Sequence, residues 1–286
     1  MIRLSVATAS AAAMAALATP AQAGPFDIPE DQQTTYIDLG AAVVSRASYV
    51  GSEDTETDIF PYLAGEYEGR VFANAAQGLG VNLINNGKLQ VAGIGFFASG
   101  RDADNTPFLD EDDAAPEMVE DAFDVTSSVT AGGLVSYRFP YAQLELQGQV
   151  PVTGDVEGWR LDATLATRLV PLERIIGEGT IISPGIRASY LSDEWTETYY
   201  GITQAQSNAL QGRTFGPAVP LVPGGFEVDG GFNSYSLFTL TSLSVTDDIT
   251  LVGVVNYTLL AGDAKDSPLS PENDALTLVA GVAKRF

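Results

Sequence analysis

The sequence predicts an all-β fold: a transmembrane, antiparallel, up-and-down β-barrel of twelve strands, with ten as the alternative count. Three observations predict it. Segments of about ten residues or more alternate apolar and polar positions along most of the chain, the length a tilted strand needs to cross a bilayer. Beyond the first 23 residues no run of eighteen apolar residues occurs, so a membrane helix bundle is excluded. The final segment alternates and ends on an aromatic residue, Phe286.

Composition narrows the function classes. Lys and Arg number 14 against 37 Asp and Glu, a net charge of −23. Nucleic acid is excluded as a partner, because phosphate binding needs clustered cations. Hydrophobic residues make up 45%, too many for a disordered acidic chain. Cysteine is absent, which removes disulfides, thiolate nucleophiles and cysteine-ligated metals. Histidine is absent too, which removes the Ser-His-Asp triad and every imidazole acid or base. The reading is non-enzymatic, with no cofactor.

In chain order, residues 1–23 (MIRLSVATASAAAMAALATPAQA) have a cationic start at Arg3, a small-residue apolar stretch and an Ala21-Gln22-Ala23 cleavage site. They are expected to be a secretory signal peptide, leaving residues 24–286 as one outer-membrane barrel domain. Residues 124–139 alternate, with Val125, Val129, Val135, Tyr137 and Phe139 in one row. Ala142, Leu144, Leu146, Gly148 and Val150 oppose Gln143, Glu145, Gln147 and Gln149. Trp159, Leu161, Ala163, Leu165 and Leu169 oppose Arg160, Asp162, Thr164 and Arg168. Ile249, Leu251, Gly253, Val255, Tyr257 and Leu259 form another row, which Val252 and Val254 blur. Leu276, Leu278, Ala280, Val282, Lys284 and Phe286 form the last. Aromatics near segment ends (Tyr137, Phe139, Tyr141, Trp159, Tyr190, Tyr257, Phe286) suit interfacial girdles.

Connections set the topology. Short ones fall at residues 68–69, 85–87, 139–141, 171–178 and 246–248; long polar ones at 45–58, 100–122, 192–230 and 261–271. Such barrels have short periplasmic turns and long outer loops. Treating residues 70–84 as one strand gives eleven and puts the tight Asn85-Asn86-Gly87 turn outside. Splitting them at Gln77-Gly78 gives twelve and places every long loop on the outer side.

The chain resembles the MipA/OmpV family, the MltA-interacting proteins of the outer membrane. Tyr49-Val50-Gly51-Ser52-Glu53-Asp54 looks like its early Y-x-G-S-x-D, and Gly78-Leu79-Gly80-Val81-Asn82-Leu83-Ile84 its G-L-G-x-x-L-I. Thr198-Tyr199-Tyr200-Gly201-Ile202, with Ser207, is similar to its T-Y-[FY]-G-V…S. Leu260-Ala261-Gly262-Asp263-Ala264-Lys265-Asp266-Ser267-Pro268 resembles L-x-G-D-A-x-D-S-P. The acidic stretch at 110–124 and the Pro/Gly-rich stretch at 216–225 depart from the family. The resemblance implies an outer-membrane barrel and, for one member class, a scaffold joining murein-degrading and murein-synthesising enzymes; other members are treated as porin-like or adhesive. It carries over no catalytic residue. Expected partners are outer-membrane lipid and periplasmic murein enzymes; oligomeric state is left open.

Two clusters are candidate sites. Residues 101–124 hold ten carboxylates. Hard cations prefer oxygen ligands, which makes Asp102, Asp104, Asp110, Asp112 and Asp113 metal candidates, though their spacing fits no EF-hand and a solvated acidic loop is the simpler reading. Glu145, Gln147, Arg160, Asp162 and Arg168 are expected to face the lumen. There they either line a narrow pore of mixed charge or pair and plug it, since twelve strands lie between filled eight-stranded barrels and open sixteen-stranded ones. Ser267, near Lys265 but with no histidine to activate it, is read as a turn cap before Pro268.

Overall fold

The computed structural model describes residues 35–74, 77–101, 106, 123–169, 176, 180–210 and 224–286. The predicted signal peptide and the five metal candidates lie outside these residues. The strands are β1 (Tyr36–Ala47), β2 (Thr55–Tyr67), β3 (Val71–Asn74), β4 (Gly78–Asn85), β5 (Leu89–Ala98) and β6 (Ser128–Arg138). There follow β7 (Ala142–Pro151), β8 (Arg160–Thr167), β9 (Thr180–Leu191), β10 (Gly231–Ser244), β11 (Ile249–Leu260) and β12 (Asp274–Arg285). Each pairs antiparallel with its sequence neighbours, and β1 pairs with β12 to close a twelve-stranded barrel. The split at Gln77-Gly78 is present, as a short β3 and an eight-residue β4.

Closure has a chemical lock. Asp38 and Arg285 stand opposite each other across the β1–β12 seam. Arg285 donates from Nε to Oδ1 at 2.8 Å and from Nη2 to Oδ2 at 2.7 Å. Such a bidentate pair fixes geometry as well as charge. The ring of Tyr36 lies 4.4 Å from the same guanidinium.

Turn chemistry follows the sequence. At the β4–β5 turn Asn86 Oδ1 accepts from the backbone N–H groups of Lys88 and Leu89. Gly87 supplies a φ of 81°, a conformation in which a side chain is strained. At the β10–β11 turn Thr246 Oγ1 accepts from Ile249 N–H and donates to Asp248 at 2.7 Å. These turns lie at one end of the barrel, together with the β2–β3 and β6–β7 turns. The loops between β1 and β2, β5 and β6, β9 and β10, and β11 and β12 gather at the opposite, long-loop end.

Alternation became two surfaces. Leu144, Leu146, Leu161, Leu251, Leu278 and Val282 all stand exposed on the outside. A closed band of exposed large apolar side chains on successive strands is what a bilayer, not water, covers. Aromatic rings border it. Trp159 stacks on Tyr190 at 5.4 Å, followed by Phe232 and Tyr235, at the long-loop end. Tyr137 and Phe139 make an edge contact at 4.9 Å at the other end.

Two details differ from the sequence reading. Residues 124–127 alternate but precede β6; Val125 makes only an isolated bridge to Arg101. The β1–β2 loop is shorter than residues 45–58, because β1 runs to Ala47 and β2 begins at Thr55. The interior is also divided. The inner faces of β1, β2 and β10–β12 are packed with Ala42, Val44, Phe60, Tyr62, Leu240, Val252, Val254 and Val279. Val252 and Val254 thus face inward, which explains why they blur the outward row of β11.

Candidate functional site

Beside this apolar sector, and bordered in part by its Leu240 and Val254, lies a cavity of about 420 Å³ with polar side chains grouped along one wall. Alternation on β7 points Gln143, Glu145, Gln147 and Gln149 into it, and β8 contributes Arg160 and Asp162. Arg160 grips Asp162 through Nε at 2.7 Å and Nη2 at 2.9 Å, and Ser189 donates to the same carboxylate at 2.5 Å. Glu145 accepts from Gln77 Nε2 at 2.7 Å, a contact between the β3–β4 hairpin and β7. The predicted lumen residues Glu145, Gln147, Arg160 and Asp162 therefore meet in one cavity. Arg168 sits just past the end of β8 and is not among the residues lining it.

The structure adds a cation that sequence reasoning did not single out. Arg187, opposite Thr164 in the β8–β9 ladder, lines the cavity and donates from Nε to Thr164 Oγ1 at 3.1 Å. Its signal was present: Ser183, Gly185, Arg187 and Ser189 alternate along β9.

A helix covers the long-loop mouth of this cavity. Helix α1 (Asp193–Tyr200) is capped by Ser192, whose side chain accepts from Trp195 N–H, and carries Asp193 and Glu194 in its first turn. Carboxylates there complement the positive end of the helix dipole. It ends at Gly201, whose N–H bonds to the Glu197 carbonyl. Trp195, 3% exposed, packs with Val125, Val156 and Leu191 on one side of the mouth. Tyr200 packs with Leu260, Ala264 and Val50 on the other. The helix thus spans the opening, and Trp195, Tyr199 and Tyr200 form part of the cavity's lining.

Four loops fasten it: in the β7–β8 loop Val156 packs on Trp195 and Trp159 donates its backbone N–H to the Ser192 cap at 3.0 Å, and three others hold the helix as follows. Tyr200 donates from its phenol to the Val50 carbonyl at 3.2 Å. Ser267 Oγ donates to the Tyr200 carbonyl at 2.5 Å and accepts from Leu269 N–H at 3.1 Å. Tyr49 donates to the Leu269 carbonyl at 2.6 Å, and Tyr199 to the Ser99 carbonyl. Buried Arg101 donates to the carbonyls of Tyr199 and Phe123, and its guanidinium lies 5.9 Å from the Tyr49 ring. Gly51 has a φ of +110°, and a Cβ there would lie 2.8 Å from Ser270 Oγ. Asp263 accepts from Asp229 N–H, and Ser52 Oγ from Asp54 N–H. Of the sequence motifs, then, the tyrosines, Gly51, Ser52, Asp54, Asp263 and Ser267 come together around one latch. The short 3₁₀ helix Gly262–Asp266, leading into Pro268, positions the last of them.

Burial raises the phenol of Tyr199 to about 12 and those of Tyr49 and Tyr200 further, against the pull of Arg101. Burial lowers Arg101, and the three tyrosines oppose this. The tyrosines thus remain neutral hydrogen-bond donors at ordinary pH. Ser267, with its hydroxyl committed on both sides, is a structural joint rather than a nucleophile.

Comparison with known proteins gives distant structural matches and one family. Among solved structures, the NanC porin has 9% identity, covers 87% of this chain and 100% of its own, and gives a TM-score of 0.40. The translocator domain of the autotransporter NalP from Neisseria meningitidis has 8% identity, covers 90% of each chain and gives 0.44. No curated protein matches the sequence. The family profile described as MltA-interacting protein MipA matches residues 39–286, a span that runs from β1 to the last residue and includes every latch residue, and on that match the chain belongs to the MipA family.

Proposed function

We propose that this chain is a non-enzymatic barrel of the bacterial outer membrane, exported with residues 1–23 removed, that anchors murein-degrading and murein-synthesising enzymes at its short-turn, periplasmic face. The observation that carries this reading is the latch. Helix α1 lies across the long-loop mouth and four loops hold it there, so the face free to meet envelope partners is the periplasmic one. The family description, MltA-interacting protein, supports a periplasmic partner of that class. Exposed Lys88 and Tyr141 mark the available turns.

A second reading, a small-solute porin, has one observation in its favour. The polar cavity reaches from Tyr36 and Arg138 near the short-turn end to Trp195 beneath the latch. Site-specific photo-crosslinking in cells tests the first reading. Crosslinkers at Lys88 and Tyr141 are expected to capture murein enzymes, while one at Glu272 on an outer loop does not. Capture from Glu272 alone, or from none of the three, overturns it.

A further inference from the structure

One level of the barrel interior is polar across five consecutive strands. The ladders set Glu145 on β7 opposite Thr164 on β8, and Thr164 opposite Arg187 on β9. They continue from Arg187 to Ser236 on β10 and from Ser236 to Thr258 on β11. All five residues line the cavity. Neighbouring strands lie about 4.8 Å apart, so the backbones carrying Glu145 and Arg187 stand about 10 Å from each other, with Thr164 between them.

The opposite charges in this row are left apart. Closer to the long loops, Arg160 and Asp162 satisfy each other through two hydrogen bonds, and Ser189 adds a third to the carboxylate. Glu145 and Arg187 form no such pair. Arg187 uses Nε on Thr164 Oγ1, and Glu145 accepts one hydrogen bond on Oε2, from Gln77. Neither makes another among the described residues. Both Nη atoms of Arg187 and Oε1 of Glu145 therefore remain available to the cavity. Gln143, two residues before Glu145 on the same face of β7, is 5% exposed, and its Oε1 has no partner. Ionisable groups inside a membrane-spanning fold are costly and mark ligand or ion paths.

An apolar surface adjoins the row. Phe238 stands opposite Gly185, one level toward the short turns, and its ring occupies the place that a Cβ would take on that glycine. Leu240 and Val254 continue the cavity wall on the same side.

From this geometry we propose that the cavity binds a free amino acid with an apolar side chain. Its ammonium donates to Glu145 Oε1 and Gln143 Oε1. Its carboxylate accepts from the two Nη groups of Arg187, the bidentate arrangement that guanidinium and carboxylate favour. Its side chain rests on Phe238 and Leu240. Two acceptors on the acidic side call for N–H donors, which a quaternary ammonium lacks. A ligand carrying both charges bridges the row that the protein leaves open. At about 420 Å³, the cavity is within the ordinary range for small-ligand sites. The assignment goes beyond the anchoring role and stands whether or not the lumen conducts.

The test is equilibrium dialysis of the whole barrel in neutral detergent against radiolabelled L-leucine. Saturable binding is expected. Isocaproate is leucine without its ammonium group, and isoamylamine is leucine without its carboxylate. Each is expected to compete at least about tenfold more weakly than leucine, because each leaves one buried charge unmatched. No saturable binding up to about 10 mM, or competition by either analogue equal to that by leucine, overturns the proposal. Stronger competition by dileucine, whose charges lie farther apart, overturns the assignment to a free amino acid. Arg187→Gln and Glu145→Gln, each shown to fold by heat-modifiable migration, are expected to weaken leucine binding at least about tenfold. Arg168→Gln, outside the cavity lining, should leave it unchanged. Wild-type affinity in the first two variants, or an equal loss in Arg168→Gln, overturns the site. The analogue series needs only the wild type, so it decides even where a variant fails to fold. Neither conductance nor enzyme capture enters these readouts, so failure here is distinct from failure of the anchoring reading.

Discussion

Replacing Leu146 by Arg tests whether the outer band faces lipid. Leu146 lies near the middle of the ten-residue β7, between outward-facing Val135 and Ala163 on the adjacent strands. Its side chain is 43% exposed with no protein to cover it. A cationic side chain on a barrel's lipid face costs about 2–4 kcal/mol at the bilayer midplane and about 0–1 kcal/mol near the interface. At about 1.4 kcal/mol per tenfold change, the folded-to-unfolded ratio should fall roughly thirty- to several-hundred-fold. Tyr141→Arg is the control. Tyr141 is 73% exposed in the β6–β7 turn, where the same substitution should cost at most about 1 kcal/mol. The assay is equilibrium unfolding in guanidinium with lipid vesicles, followed by tryptophan fluorescence and heat-modifiable migration. Equal costs at the two positions, or a cost below about 1 kcal/mol at Leu146, would refute a bilayer around this band.

Ser267→Ala removes the hydrogen bond to the Tyr200 carbonyl and the acceptor for Leu269 N–H; buried groups left unmatched cost about 1–3 kcal/mol. Protease added to whole cells should therefore cut the outer loops faster than in the wild type, and an unchanged rate would remove Ser267 from the latch. The Tyr199 phenol titrates higher in the folded protein, about 12, than its ordinary 10. Its contribution is thus fully present below pH 10 and lost as pH rises through 12. In a Trp159→Phe protein, acrylamide quenching of Trp195 should stay flat from pH 6 to 9 and climb above pH 10; a rise near neutrality would contradict this. The chain has no cysteine. Cysteine placed at Glu272 should therefore react with an impermeant thiol reagent on intact cells, while one at Lys88 should not, and the reverse would invert the orientation.

The strands were legible because their chemistry is local. The rows through Leu146 and Leu251 show period two without reference to any neighbour, and connection lengths demanded the break at Gln77-Gly78. Alternation alone misled at residues 124–127, where Val125 is buried in a single bridge rather than a strand. It cannot separate the two, because a bridge also turns one side chain inward. The latch was illegible for another reason. Tyr49 and Leu269 lie 220 residues apart, and Tyr200 and Val50 lie 150 apart, so motif resemblance supplied the residues but not their meeting place. The short pairing of β3 with β2, at three positions only, was equally hidden, because it depends on the register of β3 against two longer strands. The apolar sector around Phe60 and Leu240 left one trace, the irregular Val252 and Val254, whose meaning needed the barrel to be closed.

Helix α1 lies across the long-loop mouth of the barrel, fastened by the surrounding loops. Single-channel recording of the purified barrel in a planar bilayer tests this most directly. The wild type should give no stepwise conductance, while Arg101→Ala combined with Tyr200→Ala, which removes two anchors of the helix, should give discrete openings. Steady conductance from the wild type would contradict the latch and favour a porin.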